Sequence, residues 1–195
     1  MINPVDTKSL QEQFRKAKPF PFIALDQFLE GDSIKELAQA LSQEEFFLKE
    51  SDLFTLYQTN DLVSSTNPVM KKFYEFFKSK EFIGFCRELT GIDFTPDVVD
   101  LQGSIYQDTN FLLCHDDQLE GRKLAFLLYL TDMQEEDGGA LTLFDNKEGV
   151  PTKVAQRIIP KINRFACFEV NENSFHEVEE VLTDKQRLAI GGWLH

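Results

Sequence analysis

The spacing of apolar residues changes near Pro96. Before it they recur at helical intervals: Ile34, Leu37, Ala38 and Leu41 follow Asp32 or Ser33, either of which suits an N-cap, so a helix is expected there. A second is expected after Pro68, carrying Phe73, Phe76 and Phe77 as core packing. A third should span 80–90 and stop at Gly91, a residue type that closes helices. Residues 8–17 fit a short polar helix ended by Lys18-Pro19, and residues 20–25 an extended entry strand. After Pro96 the apolar runs shorten and turn residues separate them. Strands are expected at 98–107, 111–115, 123–131, 140–144, 163–170, 176–181 and 187–193. The turns between them carry Gly121, Asp137-Gly138-Gly139, residues 146–149 and residues 171–173, types that accept tight backbone angles.

Seven or eight short strands so spaced predict a β-sandwich or jelly roll. Helices gathered at the N-terminus would pack on one sheet, which makes the class α+β. Strands and helices do not alternate after Pro96, which argues against a parallel doubly wound sheet. The chain shows no repeat, low-complexity tract or long linker. At 195 residues a single domain, 1–195, is the expectation, with 1–96 as a mainly helical support region and 97–195 as the β core.

Composition narrows the function classes. The 42% hydrophobic content, with 19 phenylalanines, is ample for one core. The formal charge of −13, from 33 acidic and 20 basic residues, repels phosphate backbones, so direct nucleic-acid binding is not expected. Such a surface suits a basic protein partner, although acidity also serves solubility alone. Three cysteines, Cys86, Cys114 and Cys167, form no close-spaced pair, which argues against a disulfide framework or a structural zinc site. No signal-type run and no stretch of roughly 20 apolar residues is present, so the expectation is a soluble intracellular protein without membrane contact.

The chain has three histidines, His115, His176 and His195. His115 and Asp117 are two residues apart, which on an extended strand places them on one face. His176 opens a later expected strand and suits a third ligand. Two histidines and one carboxylate on one face of an octahedron leave positions open, the arrangement of non-heme iron(II) oxygenases. A lone His-x-Asp is a weak signal, and spacing alone leaves a metal site and ordinary surface or core roles about equally open. Arg187 stands on the next expected strand, where a guanidinium pointing between sheets would need a counter-charge. A dicarboxylate ligand could supply one through a bidentate pair. A surface pairing with Asp184 or Glu180 is the ordinary alternative.

Longer motifs make the pattern specific. The run Leu112-Leu113-Cys114-His115-Asp116-Asp117, with Leu119-Glu120-Gly121-Arg122-Lys123, resembles the iron(II)- and 2-oxoglutarate-dependent prolyl hydroxylases that modify a ribosomal protein. So do Ala125-Phe126-Leu127-Leu128-Tyr129-Leu130, Gly138-Gly139-Ala140-Leu141, Phe168-Glu169-Val170, Ser174-Phe175-His176-Glu177-Val178 and the closing Arg187-Leu188-Ala189-Ile190-Gly191-Gly192-Trp193-Leu194-His195. The likeness is close from Tyr106 onward and looser from Phe20. It implies a double-stranded β-helix, the distorted jelly roll, with supporting N-terminal helices. It implies catalytic roles for His115, Asp117 and His176 as iron ligands and for Arg187 as the 2-oxoglutarate anchor. Tyr129 is implied as a hydrogen-bonding partner of the co-substrate carboxylate, and Tyr106 as a wall of its pocket. Trp193 is either core or a border of the substrate entrance, and Asp116 should point away from the metal.

The implied cofactors are Fe(II), with 2-oxoglutarate and O2 as co-substrates and ascorbate as a stimulant. The implied substrate is a prolyl residue of a basic small-subunit ribosomal protein, in the cytoplasm or, in a eukaryote, also the nucleus. Family members from fungi and animals carry a second, silent β-helix domain after the catalytic one. A chain ending at His195 is then expected to be a catalytic fragment or a short member. Competing readings are a 2-oxoglutarate oxygenase acting on another protein or small molecule, a non-catalytic binding module on the same fold, and a zinc hydrolase.

Overall fold

The computed structural model describes every residue except Glu120, which belongs to the 119–123 motif and lies outside the described residues. Four α-helices form among the described residues, two of them where apolar spacing and side-chain caps coincide. They are α1 (Thr7–Lys16), α2 (Ser33–Leu41), α3 (Pro68–Lys78) and α4 (Lys80–Thr90). Asp6 caps α1, and Asn67 accepts hydrogen bonds from the Val69 and Met70 amides to start α3, with Pro68 in the first turn. Ser79 caps α4, and Gly91 ends it at φ +76°, a left-handed angle that glycine adopts without strain.

Apart from two short 3-10 turns, Leu62–Ser64 and Glu135–Asp137, the remaining described elements are strands: β1 (Phe22–Leu25), β2 (Phe47–Ser51), β3 (Phe54–Gln58), β4 (Val99–Tyr106), β5 (Phe111–His115), β6 (Leu124–Tyr129), β7 (Leu141–Lys147), β8 (Val150–Ile158), β9 (Phe165–Glu169), β10 (His176–Val178) and β11 (Arg187–Leu194). They pair in the order β1-β9-β6-β11-β4-β3-β5-β10-β7-β8, with β2 added on β3, and every pairing between named strands is antiparallel. Strand β3 joins the two halves. Its Tyr57 and Gln58 pair with β4, and its Phe54 and Thr55 pair with β5. The expected jelly roll with helical support is therefore the observed architecture.

The central strands bury both faces, which explains their nearly unbroken apolar runs. On β6, Leu124, Phe126 and Leu128 face the helices, while Ala125 and Tyr129 face the space between the half-sheets. Phe165 and Cys167 alternate with Ala166 and Phe168 on β9 in the same way. Phe82 of α4 ties helices to sheet. Its ring centroid lies 5.0 Å from Phe77, 5.1 Å from Phe126, 5.6 Å from Phe76 and 5.9 Å from Phe165. Edge-to-face aromatic packing of this kind adds to the burial itself.

Two hairpins escape the apolar pattern. Strand β2 is exposed along its whole length, so it has no alternation to read, and the N-terminal support region contributes three strands as well as helices. Strand β8 is mostly exposed, and its pairing with β7 is interrupted by register shifts. The turn before it uses Glu148 at φ +54° and Gly149 at φ +76°, the left-handed pair that a tight two-residue hairpin needs. No described helix is long and apolar enough to cross a membrane. Phe82→Ala should lower stability by about 3–5 kcal/mol, the usual range for deleting a buried ring. Urea denaturation measures this, and a loss smaller than that of an exposed substitution such as Leu53→Ala would contradict the assigned packing.

Candidate active site

A cavity of about 450 Å³ opens between the half-sheets, with His115, Asp117, His176, Tyr106, Arg187 and Trp193 in its wall. His115 and His176 are cross-strand partners in the β5–β10 pairing, and their ring centroids lie 4.2 Å apart. Each ring is oriented in the same way. His115 Nδ1 lies 2.9 Å from the Leu113 carbonyl oxygen, and His176 Nδ1 lies 2.7 Å from that of Ser174. A neutral imidazole that donates from Nδ1 keeps a lone pair on Nε2, so both Nε2 atoms are available as metal ligands. The Ser174 hydroxyl in turn donates to the Asp116 carbonyl oxygen at 2.8 Å and ties the two ligand segments together. Phe168 packs against the His176 ring with centroids 4.4 Å apart.

Asp117 completes the group, but not as an extended strand would. Strand β5 ends at His115, and Asp117 adopts φ +62°. The left-handed bend turns its carboxylate toward the histidines: Oδ1 is 3.4 Å from His115 Nε2, and Oδ2 is 3.4 Å from His176 Nε2. Ligand atoms about 2.1 Å from one ion at right angles lie about 3 Å apart, so the three groups are spaced as a shared cation requires. All three ligand atoms lie within 4.8 Å of one another. Burial by itself raises the Asp117 pKa, but the two histidines outweigh it and hold the carboxyl far below the usual carboxylate range. His115 is raised overall: burial lowers it, and the Asp117 carboxylate more than compensates. Asp116 takes no part and accepts from the Gln118 amide at 3.1 Å. His195 also stays outside, with Nε2 3.2 Å from Asp100 Oδ2.

Arg187 is fully buried. Its Nε donates to the Gly139 carbonyl oxygen at 2.8 Å, while Nη1 and Nη2 have no partner among the described residues. Its guanidinium carbon sits 4.9 Å from the Tyr106 ring centroid and 5.1 Å from that of Tyr129. The Tyr129 hydroxyl is likewise buried and unpartnered. Burial pushes the Tyr106 phenol up to about 12 against the opposing pull of Arg187, so it is neutral near pH 7. An unpaired buried charge is costly, and three unsatisfied donors on the neighbouring side chains of Arg187 and Tyr129 fit an incoming carboxylate. The surface pairing with Asp184 or Glu180 does not occur. The donor set at each end of the cavity thus fits a divalent cation and, beyond it, a dicarboxylate.

The contacts of three contributors were not foreseen from the sequence. Trp193, expected as core or as a border of the substrate entrance, lines the cavity and packs on the inner cluster, and its Nε1–H donates to Asp117 Oδ2 at 2.9 Å. Arg122 stacks on the indole at 3.6 Å and places Nη1 3.6 Å from Asp117 Oδ1. The Gly139 carbonyl aims Arg187. Arg122 and Trp193 both fall within the recognised motifs, but no spacing rule links them to Asp117.

A family model described as the 2OG-Fe(II) oxygenase superfamily matches residues 101–195. Prolyl 3-hydroxylase OGFOD1 of Mus musculus is 37% identical over 177 residues, covering 89% of this chain and 31% of that protein. The Xenopus laevis protein of the same name is 35% identical over 91% of this chain and 35% of its own length, so the chain spans about a third of these relatives. Among solved structures, a Pseudomonas putida prolyl-4-hydroxylase superposes with a TM-score of 0.75 at 16% identity, covering 97% of this chain and 98% of that one. A prolyl hydroxylase from Trichoplax adhaerens, in complex with a hypoxia inducible factor peptide fragment, gives 0.75 at 18% identity over 96% of this chain and 88% of its own. These two likenesses concern the fold. The matched family model and the relatives make residues 101–195 of this chain a domain of the 2OG-Fe(II) oxygenase superfamily.

Proposed function

We propose that the chain hydroxylates a prolyl residue of a protein, at the 3-position, using Fe(II), O2 and 2-oxoglutarate. The observation that carries this reading is the pairing of a His115–Asp117–His176 cluster with a buried, two-nitrogen-unsatisfied Arg187 in one cavity. Iron(II) with 2-oxoglutarate would supply the activation of dioxygen that C–H hydroxylation needs. The chain's own residues do the rest. His115, Asp117 and His176 would hold the metal. Arg187 would pair with the distal carboxylate, and the Tyr129 hydroxyl would donate to the same group. Tyr106 closes the side of the guanidinium. The apolar wall of Ala125, Leu141 and Phe168 keeps water from the reacting centre.

The prolyl choice is supported by the relatives' names, and a protein substrate by the peptide bound in the Trichoplax structure. We propose further that the substrate is a basic small-subunit ribosomal protein, which the formal charge of −13 favours electrostatically. A non-catalytic module would be expected to lack a ligand or block the cavity, and neither is the case among the described residues.

Incubation with prolyl peptides from basic ribosomal proteins, Fe(II), 2-oxoglutarate and ascorbate should give a mass gain of one oxygen atom on proline with matching succinate release. Succinate without peptide oxidation across such a panel would contradict the substrate assignment. His176→Ala should abolish 2-oxoglutarate turnover with the fold retained by circular dichroism, and full turnover with added iron would remove His176 from the metal site. Arg187→Gln should weaken 2-oxoglutarate binding by about 2–5 kcal/mol, the loss of a buried charge pair. Isothermal titration reads this, and an unchanged affinity would refute the anchoring role.

A further inference from the structure

The three ligand side chains are not equally supported. His115 and His176 stand on paired strands, and each ring is fixed by a backbone carbonyl. Asp117 lies two residues past the end of β5, in a left-handed conformation, in a segment outside the sheet. A carboxylate there can rotate about two side-chain bonds, and the sheet pairing does nothing to stop it. Apart from the histidines, the groups that reach it among the described residues come from Trp193 and Arg122.

Trp193 is well placed to impose an orientation. It sits on β11, hydrogen-bonded in register on both sides, opposite Asp100 of β4 and Ala125 of β6. Its Nε1–H meets Asp117 Oδ2 at 2.9 Å, a normal hydrogen-bond length. The indole is itself held by the Arg122 guanidinium at 3.6 Å, whose Nη2 points to Asp100 Oδ2 at 3.9 Å. The chain Asp100–Arg122–Trp193–Asp117 therefore ties the one off-strand ligand to a central strand.

We infer that Trp193, backed by Arg122, is the positioning residue for the Asp117 carboxylate: its indole N–H occupies one side of Oδ2, fixes the rotation of the group and presets it for the metal. The inference rests on the metal-site reading above. Arg122 acts through the indole rather than on the metal, since a cation several ångströms from a dication repels it. Its stacking and its charge thus push metal affinity in opposite directions, and the decisive variants are at Trp193. Outer-sphere partners of this kind typically change metal affinity by about 10–100-fold when removed.

Trp193 is the only tryptophan in the chain, so residue-specific replacement by an analogue alters one site. Benzothienylalanine keeps the bicyclic shape and the stack under Arg122 but has no N–H donor. Trp193→Phe removes the donor by conventional mutation. The full chain is titrated with Mn(II), free ion being read by electron paramagnetic resonance, and the melting temperature of the metal-free protein is measured in parallel. The expected result is a loss of about 10–100-fold in Mn(II) affinity for both proteins, with the metal-free melting temperature of the analogue equal to that of the wild type. Wild-type Mn(II) affinity in the analogue would overturn the positioning role, whether or not its melting temperature falls and whether or not Trp193→Phe folds. Failure of the unaltered protein to bind Mn(II) would instead overturn the metal-site reading, and this inference with it.

Discussion

Arg187 brings a permanent positive charge into a place with no exposed surface, and the protein satisfies only one of its nitrogens. The surroundings do not neutralise it. Tyr106 and Tyr129 offer ring faces and neutral phenols, and Gly139 offers a carbonyl. An arrangement that leaves a charge under-satisfied is tolerated when a ligand completes it, and a carboxylate is the natural complement. The backbone is committed to this aim. Gly138 and Gly139 take φ of +69° and +70°, and a Cβ at Gly138 would collide with the Glu180 carbonyl oxygen. Only glycine lets the turn come close enough to set the Gly139 carbonyl against the guanidinium.

The rest of the fold keeps that cavity rigid and open. On the outer faces of β6, β9 and β11, large side chains interlock with the phenylalanines of α3 and α4. On the inner faces the same strands carry small residues, Ala125, Ala166, Ala189 and Gly191, among the larger Tyr129, Phe168, Arg187 and Trp193. Bulk on the outer side fixes the strands, and the small positions on the inner side leave room for a co-substrate. The His115–Asp117–His176 cluster sits where the second half-sheet closes over this space, so one cavity joins a group that fits a cation to one that fits an anion.

Much of this was legible in the sequence, for definable reasons. Helices with caps and buried stripes were readable because propensity and burial agree: α4 begins at Ser79 and stops at Gly91. Strand β6 was readable because both its faces are buried. Strands β2 and β8 were not, because exposed hairpins carry no burial pattern. The 176–181 run shortened to three residues, since past Val178 its backbone bonds to Ala140, Asn110 and Asp137 instead of continuing the ladder. At the site, His115, Asp117, His176 and Arg187 were picked out together only through longer motifs. Strand alternation gave Asp117 the right direction for the wrong reason, since a left-handed bend, not a pleat, turns it inward. Trp193 reaches Asp117 from another strand and Arg122 from the loop that follows Asp117, contacts that no strand periodicity encodes.

The central claim is that one cavity holds iron(II) and 2-oxoglutarate together. Anaerobic titration of the purified protein with Fe(II) and then 2-oxoglutarate tests it most directly, by the weak visible charge-transfer absorption of the chelate. The account predicts that the band appears on adding 2-oxoglutarate, saturates, and is lost in Asp117→Ala. Iron bound at this site with no band at saturating 2-oxoglutarate would contradict it.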